Sequence, residues 1–257
     1  MSSFPSSLPH VLERSVLIRA TPATVFNFFT DTPRWATWWG AGSTIDARPG
    51  GKVTIRYPGN VEVGGEVVEL RPPERIVFTY GYASGTPIPV GASRVTIHLE
   101  PDPNGTRLHL WHEFAEAAVR DQHVQGWRYQ LSLFGNVVAN EVNADAASIV
   151  DTWFDAWADP DAAKRARAFA GIGGPSVSFR DRNSMIDTLD DLLAHVAASQ
   201  QYMPGVRLKR AGAVRHCQGT VLADWIATGP DGKEMMKGTN VFQFGPMGKI
   251  ESVVGIS

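Results

Sequence analysis

Between Lys52 and Phe114 apolar residues recur at every second position, and after Glu116 they recur at spacings of four, three and four. The first period is that of a strand with one covered face, the second that of a helix with one apolar stripe. Clusters of turn residues at Pro49-Gly50-Gly51, Pro58-Gly59-Asn60, Arg71-Pro72-Pro73 and Asp102-Pro103-Asn104-Gly105 cut the strand region into an antiparallel meander. On its covered face fall Ile76, Phe78, Tyr80 and Tyr82, then Val95, Ile97 and Leu99, then Leu108, Leu110, His112 and Phe114. The opposite face takes Arg94, His98, Glu100, Arg107, His109 and Glu113, with Trp111 as its apolar exception. Trp127, Leu131, Phe134 and Val138 form one stripe of a long helix, expected to lie across the sheet. Upstream, Thr21-Pro22 starts a short helix bearing Val25, Phe26, Phe28 and Phe29, and Asp31-Thr32-Pro33 is expected to end it. Trp35, Trp38 and Trp39 follow within five residues.

The order of periods reverses in the second half. A helix from Asp145 carries Ile149, Val150, Trp153, Phe154 and Trp157 on one broad face, and a polar helix spans Asp161 to Phe169. A short strand, Ser176 to Arg180, precedes a third helix predicted from Ser184 to Ser199 with Ile186, Leu189, Leu193 and Val196 as its stripe. Strands are then predicted at Val206 to Arg210, Ala213 to Gln218, Thr220 to Thr228, Glu234 to Phe244 and Ile250 to Ile256. The fold class is therefore α+β throughout, with a meander closed by a helix in the first half and helices followed by a hairpin sheet in the second. Residues 1–9 read as a flexible N-terminus, residues 10–140 as one domain and residues 144–257 as another. Val137 to Asp145 contains neither Pro nor Gly, so the two domains are expected to be held in a fixed relation.

Composition narrows the functional classes. A chain of 257 residues, 43% hydrophobic and 19% charged, suits two domains of ordinary size. A net charge of −2 and no Lys/Arg run leave no footprint for nucleic acid. No segment approaches the ~18 apolar residues of a membrane span, and Met1 to Pro9 lacks the layout of a signal peptide, so the protein is expected to be cytoplasmic and not membrane-bound. One cysteine, Cys217, excludes an internal disulfide and reads as a small buried hydrophobe. Gly171-Ile172-Gly173-Gly174 lacks the residues of a phosphate loop, no Gly-x-Ser-x-Gly elbow occurs, and no metal or cofactor is expected.

Two local sets of strings resemble known families. Pro49-Gly50-Gly51, the run from Gly65 to Phe78 that contains Pro72-Pro73-Glu74-Arg75-Ile76-Val77-Phe78, and Gly126-Trp127 are similar to the activator-of-heat-shock-protein-ATPase homologues. That group lies within the helix-grip superfamily of START-like and Bet-v-like domains, polyketide cyclases included. The resemblance implies a helix-grip fold over residues 10–140, with ligands that range from lipids to protein partners. Met203-Pro204-Gly205-Val206, Ala223-Asp224-Trp225, Gly238 to Phe244 and Gly248 to Val253 resemble the SnoaL-like branch of the nuclear-transport-factor-two-like superfamily. That resemblance implies a conical pocket over residues 144–257, in a family of isomerases, cyclases, dehydratases and non-catalytic dimers. The family often carries an acid where this chain has Asn240.

Candidate site residues follow from parity. In the first half Trp35, Trp38, Trp39, Phe78, Tyr80, His112 and Trp127 are nominated to contact a ligand, although core packing accounts for the tryptophan cluster equally well. In the second half Phe179, Trp225, Asn240 and Phe242 are nominated as pocket lining, with His216 and Asp181 as a base and its orienting carboxylate. The Trp225 N–H and Asn240 are expected to position a substrate oxygen. The resulting expectation is a two-domain protein that binds a small apolar or aromatic molecule, with isomerase-, cyclase- or dehydratase-type chemistry in the second pocket. The alternative is a regulatory protein that engages a chaperone and dimerises through its second domain, using outward residues such as Met235, Val241 and Val253.

Overall fold

The computed structural model describes residues 8–257, apart from the side chain of Pro175. Of the expected flexible segment 1–9, residues 1–7 lie outside the described part. The chain divides into two compact units, Met1–Ala139 and Asn140–Ser257. No helix among the described residues is long and apolar enough to cross a membrane.

The first unit is one antiparallel sheet with helices on one face. Its strands are β1 (His10–Ile18), β2 (Thr44–Ile45), β3 (Lys52–Tyr57), β4 (Val61–Arg71), β5 (Arg75–Tyr82), β6 (Ser93–Asp102) and β7 (Gly105–Phe114). They lie in the order β1-β7-β6-β5-β4-β3-β2, so the meander is continuous and only β1 joins it from a distance. The alternation read from the sequence is the alternation of burial: Ile76, Phe78, Tyr80, Val95, Ile97, Leu99, Leu108, Leu110, His112 and Phe114 are all buried. Gly65 sits where β4 bulges against β5; a Cβ there would stand 1.8 Å from the Thr79 carbonyl oxygen, so no side chain is admitted.

Helix α1 (Pro22–Asn27) is capped by Thr21, whose hydroxyl accepts from the Thr24 N–H at 3.3 Å. Asp31-Thr32-Pro33 does more than stop it. The Asp31 carboxylate accepts from the Arg34 N–H at 3.0 Å and so starts α2 (Thr32–Trp39), which carries all three clustered tryptophans. Helix α3 (Ala117–Val142) presents Trp127, Leu131, Phe134 and Val138 to the core. The aromatic rings interlock: Phe134 meets Phe28 at 5.9 Å, Phe29 at 5.0 Å and Trp38 at 4.8 Å. Burying each such ring is worth roughly 1.5–3 kcal/mol, so this contact dominates the unit's core.

The second unit begins with α4 (Ala146–Ala158) and α5 (Ala162–Ile172). Its sheet contains β8 (Gly173–Asp181), β9 (Ser184–Ile186), β10 (Arg207–Arg210), β11 (Arg215–Cys217), β12 (Thr220–Thr228), β13 (Glu234–Phe244) and β14 (Ile250–Ile256), in the order β10-β12-β13-β14-β8-β9 with β11 beside β12. The β14–β8 ladder is parallel. The expected helix over 184–199 is corrected: Ser184–Ile186 closes a hairpin with β8, and α6 (Leu189–Tyr202) starts only where the Thr188 hydroxyl accepts from the Asp191 N–H at 3.1 Å. The turn that delays it is local, since Asp181 accepts from the Asn183 N–H at 2.8 Å. Cys217, expected to be buried, is exposed. Of the outward residues named above, Met235 is exposed but Val253 is fully buried, and the outward valine on β14 is Val254. The parallel partner β8 covers the Val253 face, which hairpin reasoning does not see.

Candidate functional sites

Each unit contains one aromatic-walled cavity. In the first, about 340 Å³ lies between α3 and the strands β3, β4 and β5. Trp39 and Trp127 stand on one side, Tyr57, Tyr80 and Tyr82 on another, and His123 and Gln130 project from α3. The Trp39 and Trp127 rings meet edge to face at 5.5 Å, as do those of Tyr80 and Tyr82 at 5.9 Å. Each strand contributes alternate residues and the helix contributes successive turns, which is why residues so distant in sequence form one wall.

The polar groups of this wall are mostly committed. The His123 Nδ1–H donates to the Val119 carbonyl at 2.8 Å, which leaves Nε2 to accept from the Tyr82 hydroxyl at 3.5 Å. Burial lowers the pKa of His123 and raises those of Tyr57 and Tyr80, so all three are neutral at physiological pH. The Tyr57 and Tyr80 hydroxyls stand 3.4 Å apart. Trp39 Nε1 is buried without a partner. No residue of the lining carries a charge, so the cavity suits a neutral, flat, largely apolar molecule.

Of the residues nominated here, Trp39, Tyr80 and Trp127 line the cavity. Trp35, Trp38, Phe78 and His112 do not. Trp35 packs edge to face on Phe78 at 5.8 Å and donates its N–H to the Thr54 carbonyl; Trp38 donates to the Phe28 carbonyl, and its own carbonyl accepts from Gln130 Nε2. These side chains are consumed by the core. His112 is completely buried behind the wall: its Nδ1 accepts from the Trp127 N–H at 2.9 Å, and its Nε2–H donates to the Ser93 hydroxyl at 2.8 Å, which donates to the Tyr80 carbonyl. Burial, with His123 nearby, holds its pKa well below the ordinary imidazole value. It positions Trp127 and Tyr80, two residues that do face the cavity. Tyr57, Tyr82 and His123 were missed, although His123 lies four residues before Trp127 on the helix stripe and could have been found by extending it.

The second cavity, of about 260 Å³, is walled by Trp153 and Trp157 of α4, Phe179 and Asp181 of β8, His195 and Ser199 of α6, Trp225 of β12 and Asn240 of β13. Trp157 stacks edge to face on Phe179 at 5.4 Å and on His195 at 5.7 Å. The His195 Nε2 and the Ser184 hydroxyl stand 3.3 Å apart. The Trp225 N–H donates to Asn240 Oδ1 at 3.0 Å, so it is spent on orienting Asn240. Trp153 Nε1 and Trp157 Nε1 are buried without partners.

Phe179, Asp181, Trp225 and Asn240 thus come together as nominated, but His216 and Phe242 do not join them. Phe242 is fully buried and packs at 5.8 Å from Trp153 and 6.2 Å from Phe154. His216 shares the inner face, as parity requires, since it pairs with Val221. Strand order defeats the proposed dyad: from β11 to β8 the path crosses β12, β13 and β14, four ladder steps of about 4.8 Å each. Both ring nitrogens of His216 are also engaged, Nε2 accepting from the Gly219 N–H at 2.9 Å and Nδ1–H donating to Asn140 Oδ1 at 3.1 Å. Burial lowers its pKa. The histidine that shares a cavity with Asp181 is His195, and its signal was its position three before and one before the buried Leu192-to-Val196 turn's flanking Ser199 and Val196.

Outside these cavities, a cleft of about 470 Å³ on the outer face of the first sheet accounts for Trp111, which lies there with Val77 and Val11. Its charges are paired, Arg94 with Glu113 at 2.6 Å and Arg75 with Glu69 at 3.3 Å. Among the described residues no group of three or more His, Cys, Asp or Glu side chains could hold a metal ion.

With this geometry in hand, the comparisons with known proteins fall into place by unit and by size. Residues 19–139 match the family described as Activator of Hsp90 ATPase homolog 1-like protein. No curated protein matches the sequence. Similar solved structures include a SnoaL-like family protein from Agrobacterium tumefaciens, 25% identical, covering 42% of this chain and 92% of that one with a TM-score of 0.41. Protein CV1439 of Chromobacterium violaceum is 26% identical and covers 49% of this chain and 95% of its own, with a TM-score of 0.41. CalU16 of Micromonospora echinospora is 25% identical over 49% of this chain and 72% of its own, with a TM-score of 0.39.

Proposed function

We propose that the protein binds small apolar or aromatic molecules, with one site in each unit. The observation that carries this reading is the first cavity: five aromatic side chains, Trp39, Trp127, Tyr57, Tyr80 and Tyr82, surround about 340 Å³ with no charged residue in the lining. Unfilled aromatic walls of this kind favour a planar neutral ligand, which gains burial and edge or face contacts without desolvating a charge. The test is a titration of the full chain with the apolar fluorophore N-phenyl-1-naphthylamine, alongside a native mass spectrum for a copurifying molecule. Saturable enhancement, weakened about tenfold or more in Trp39→Ala, is the expected result. A spectrum free of small molecules together with no saturable binding would refute it and favour the regulatory, partner-binding alternative.

A second reading, proton-transfer chemistry of isomerase, cyclase or dehydratase type, is favoured at the second cavity by one observation. Asp181 and His195, both able to take up and return a proton, open on the same space as the amide of Asn240. An isomerisation there needs no co-reactant: a C–H proton beside a carbonyl moves to the base and returns to another atom of the same molecule. Exchange of the α-protons of 2-tetralone for deuterium, followed by NMR, tests it. A rate no higher with the wild type than with a variant carrying both Asp181→Asn and His195→Phe would exclude the chemistry and leave binding alone.

A further inference from the structure

We infer that the second cavity recognises a ring-borne acceptor oxygen, of the ketone or quinone-like carbonyl class, and that the Asn240 amide nitrogen is the group that reads it. This deepens the reading of that cavity as a small-molecule site and rests on it. The argument starts from a side chain whose orientation is dictated by chemistry. An indole N–H can only donate, so the atom of Asn240 that meets Trp225 Nε1 at 3.0 Å must be the carbonyl oxygen. The Nδ2 amide then points away from Trp225. Asn240 is 5% exposed, lines the cavity, and neither of its amide hydrogens has a partner among the described residues.

A buried amide left with two unmade donor bonds costs about 1–3 kcal/mol unless something else accepts them, and the open side of Asn240 is the cavity. The rest of the wall is also rich in donors, since Trp153 Nε1 and Trp157 Nε1 are buried without partners. Above the site Phe179, Trp157 and Trp225 supply faces and edges for a ring. Directly beside Asn240 stands Gly255: a Cβ there would lie 3.3 Å from Asn240 Oδ1 and 3.4 Å from the Asp181 Cβ, so the absence of a side chain keeps the passage between the amide and the carboxylate clear. A carbonyl oxygen satisfies the amide without bringing a donor of its own, whereas a hydrocarbon leaves it unmade. The carbonyl then sits between a donor and the proton-carrying pair Asp181 and His195.

Calorimetric titration of the full chain with 2-tetralone and with tetralin, which has the same fused-ring frame without the oxygen, tests this. The expected result is a preference of about fivefold to tenfold for the ketone at one site, abolished in Asn240→Leu while tetralin affinity holds or rises. Asn240→Asp retains an oxygen for the Trp225 N–H and removes the amide hydrogens, so it is the second variant should Asn240→Leu fail to fold; at pH 8 it is expected to lose the preference as well. Equal affinity of the wild type for both molecules, or a preference that survives both substitutions, would overturn the carbonyl assignment while leaving the cavity a ligand site. Failure of both molecules to bind at any site sensitive to position 240 or to Phe179→Ala would overturn the cavity reading along with it.

Discussion

Replacing His112 by Phe tests the idea that a neutral, fully buried imidazole holds up the wall of the first cavity. In the native protein the Trp127 N–H donates to Nδ1 at 2.9 Å, and Nε2–H donates to the Ser93 hydroxyl at 2.8 Å. Phenylalanine removes the partner of the Trp127 N–H, while Ser93 keeps its bond to the Tyr80 carbonyl. One buried donor is therefore orphaned, which costs about 2 kcal/mol at pH 7.5. The pH dependence gives the sharper signature. Burial lowers the folded pKa of His112 far below the ordinary value of 6.5, so the unfolded chain binds the extra proton and wild-type stability is lost as pH falls below 6.5. At pH 5.5, one unit below the unfolded pKa, that loss is about 1.4 kcal/mol from His112 alone. His123 contributes in the same direction but equally in both proteins. The gap between wild type and His112→Phe is thus expected to shrink from about 2 to about 0.6 kcal/mol between pH 7.5 and 5.5. Native-state hydrogen exchange at the amides of β7 reads the first unit by itself. A gap that stays constant, or widens toward acid, would refute the claim that the imidazole is held neutral.

Other consequences follow from the same geometry. Trp35→Ala is expected to cost about 3–5 kcal/mol in stability while folded molecules keep their affinity for N-phenyl-1-naphthylamine, the reverse of Trp39→Ala; comparing urea midpoints with binding isotherms checks the pair. Gly65→Ala, which would drive a Cβ to 1.8 Å from the Thr79 carbonyl oxygen, is expected to destabilise the first unit by about 3 kcal/mol or more, seen as a lowered thermal midpoint. His216→Ala is expected to leave 2-tetralone binding unchanged, because both ring nitrogens are engaged away from the second cavity; a tenfold loss of affinity would return that histidine to the site.

The two cavities differ in how their residues depend on burial. Tyr80 and Trp127 face ligand space, whereas Phe78 and His112, on the same strand faces, lie one layer behind, fully buried. Side-chain parity assigns a face but no depth along it. The same limit explains the tryptophan cluster: α2 turns its three indoles through different directions, so Trp39 reaches the cavity while Trp35 and Trp38 fill the core.

What the sequence determined by itself was whatever local periodicity and turn chemistry control. The extents of β12, β13 and β14, the face of every strand in the meander and the stripe of α3 could be read directly, because alternation and helical spacing act over a few residues and turn residues punctuate them. Only the tertiary structure decided which strands are neighbours across the second sheet. It placed β8 parallel to β14, buried Val253, separated His216 from Asp181 by four ladder steps and brought His195 to the cavity instead. Pairing between segments far apart in the chain depends on the packing of whole faces against helices, and no short stretch of residues encodes that choice.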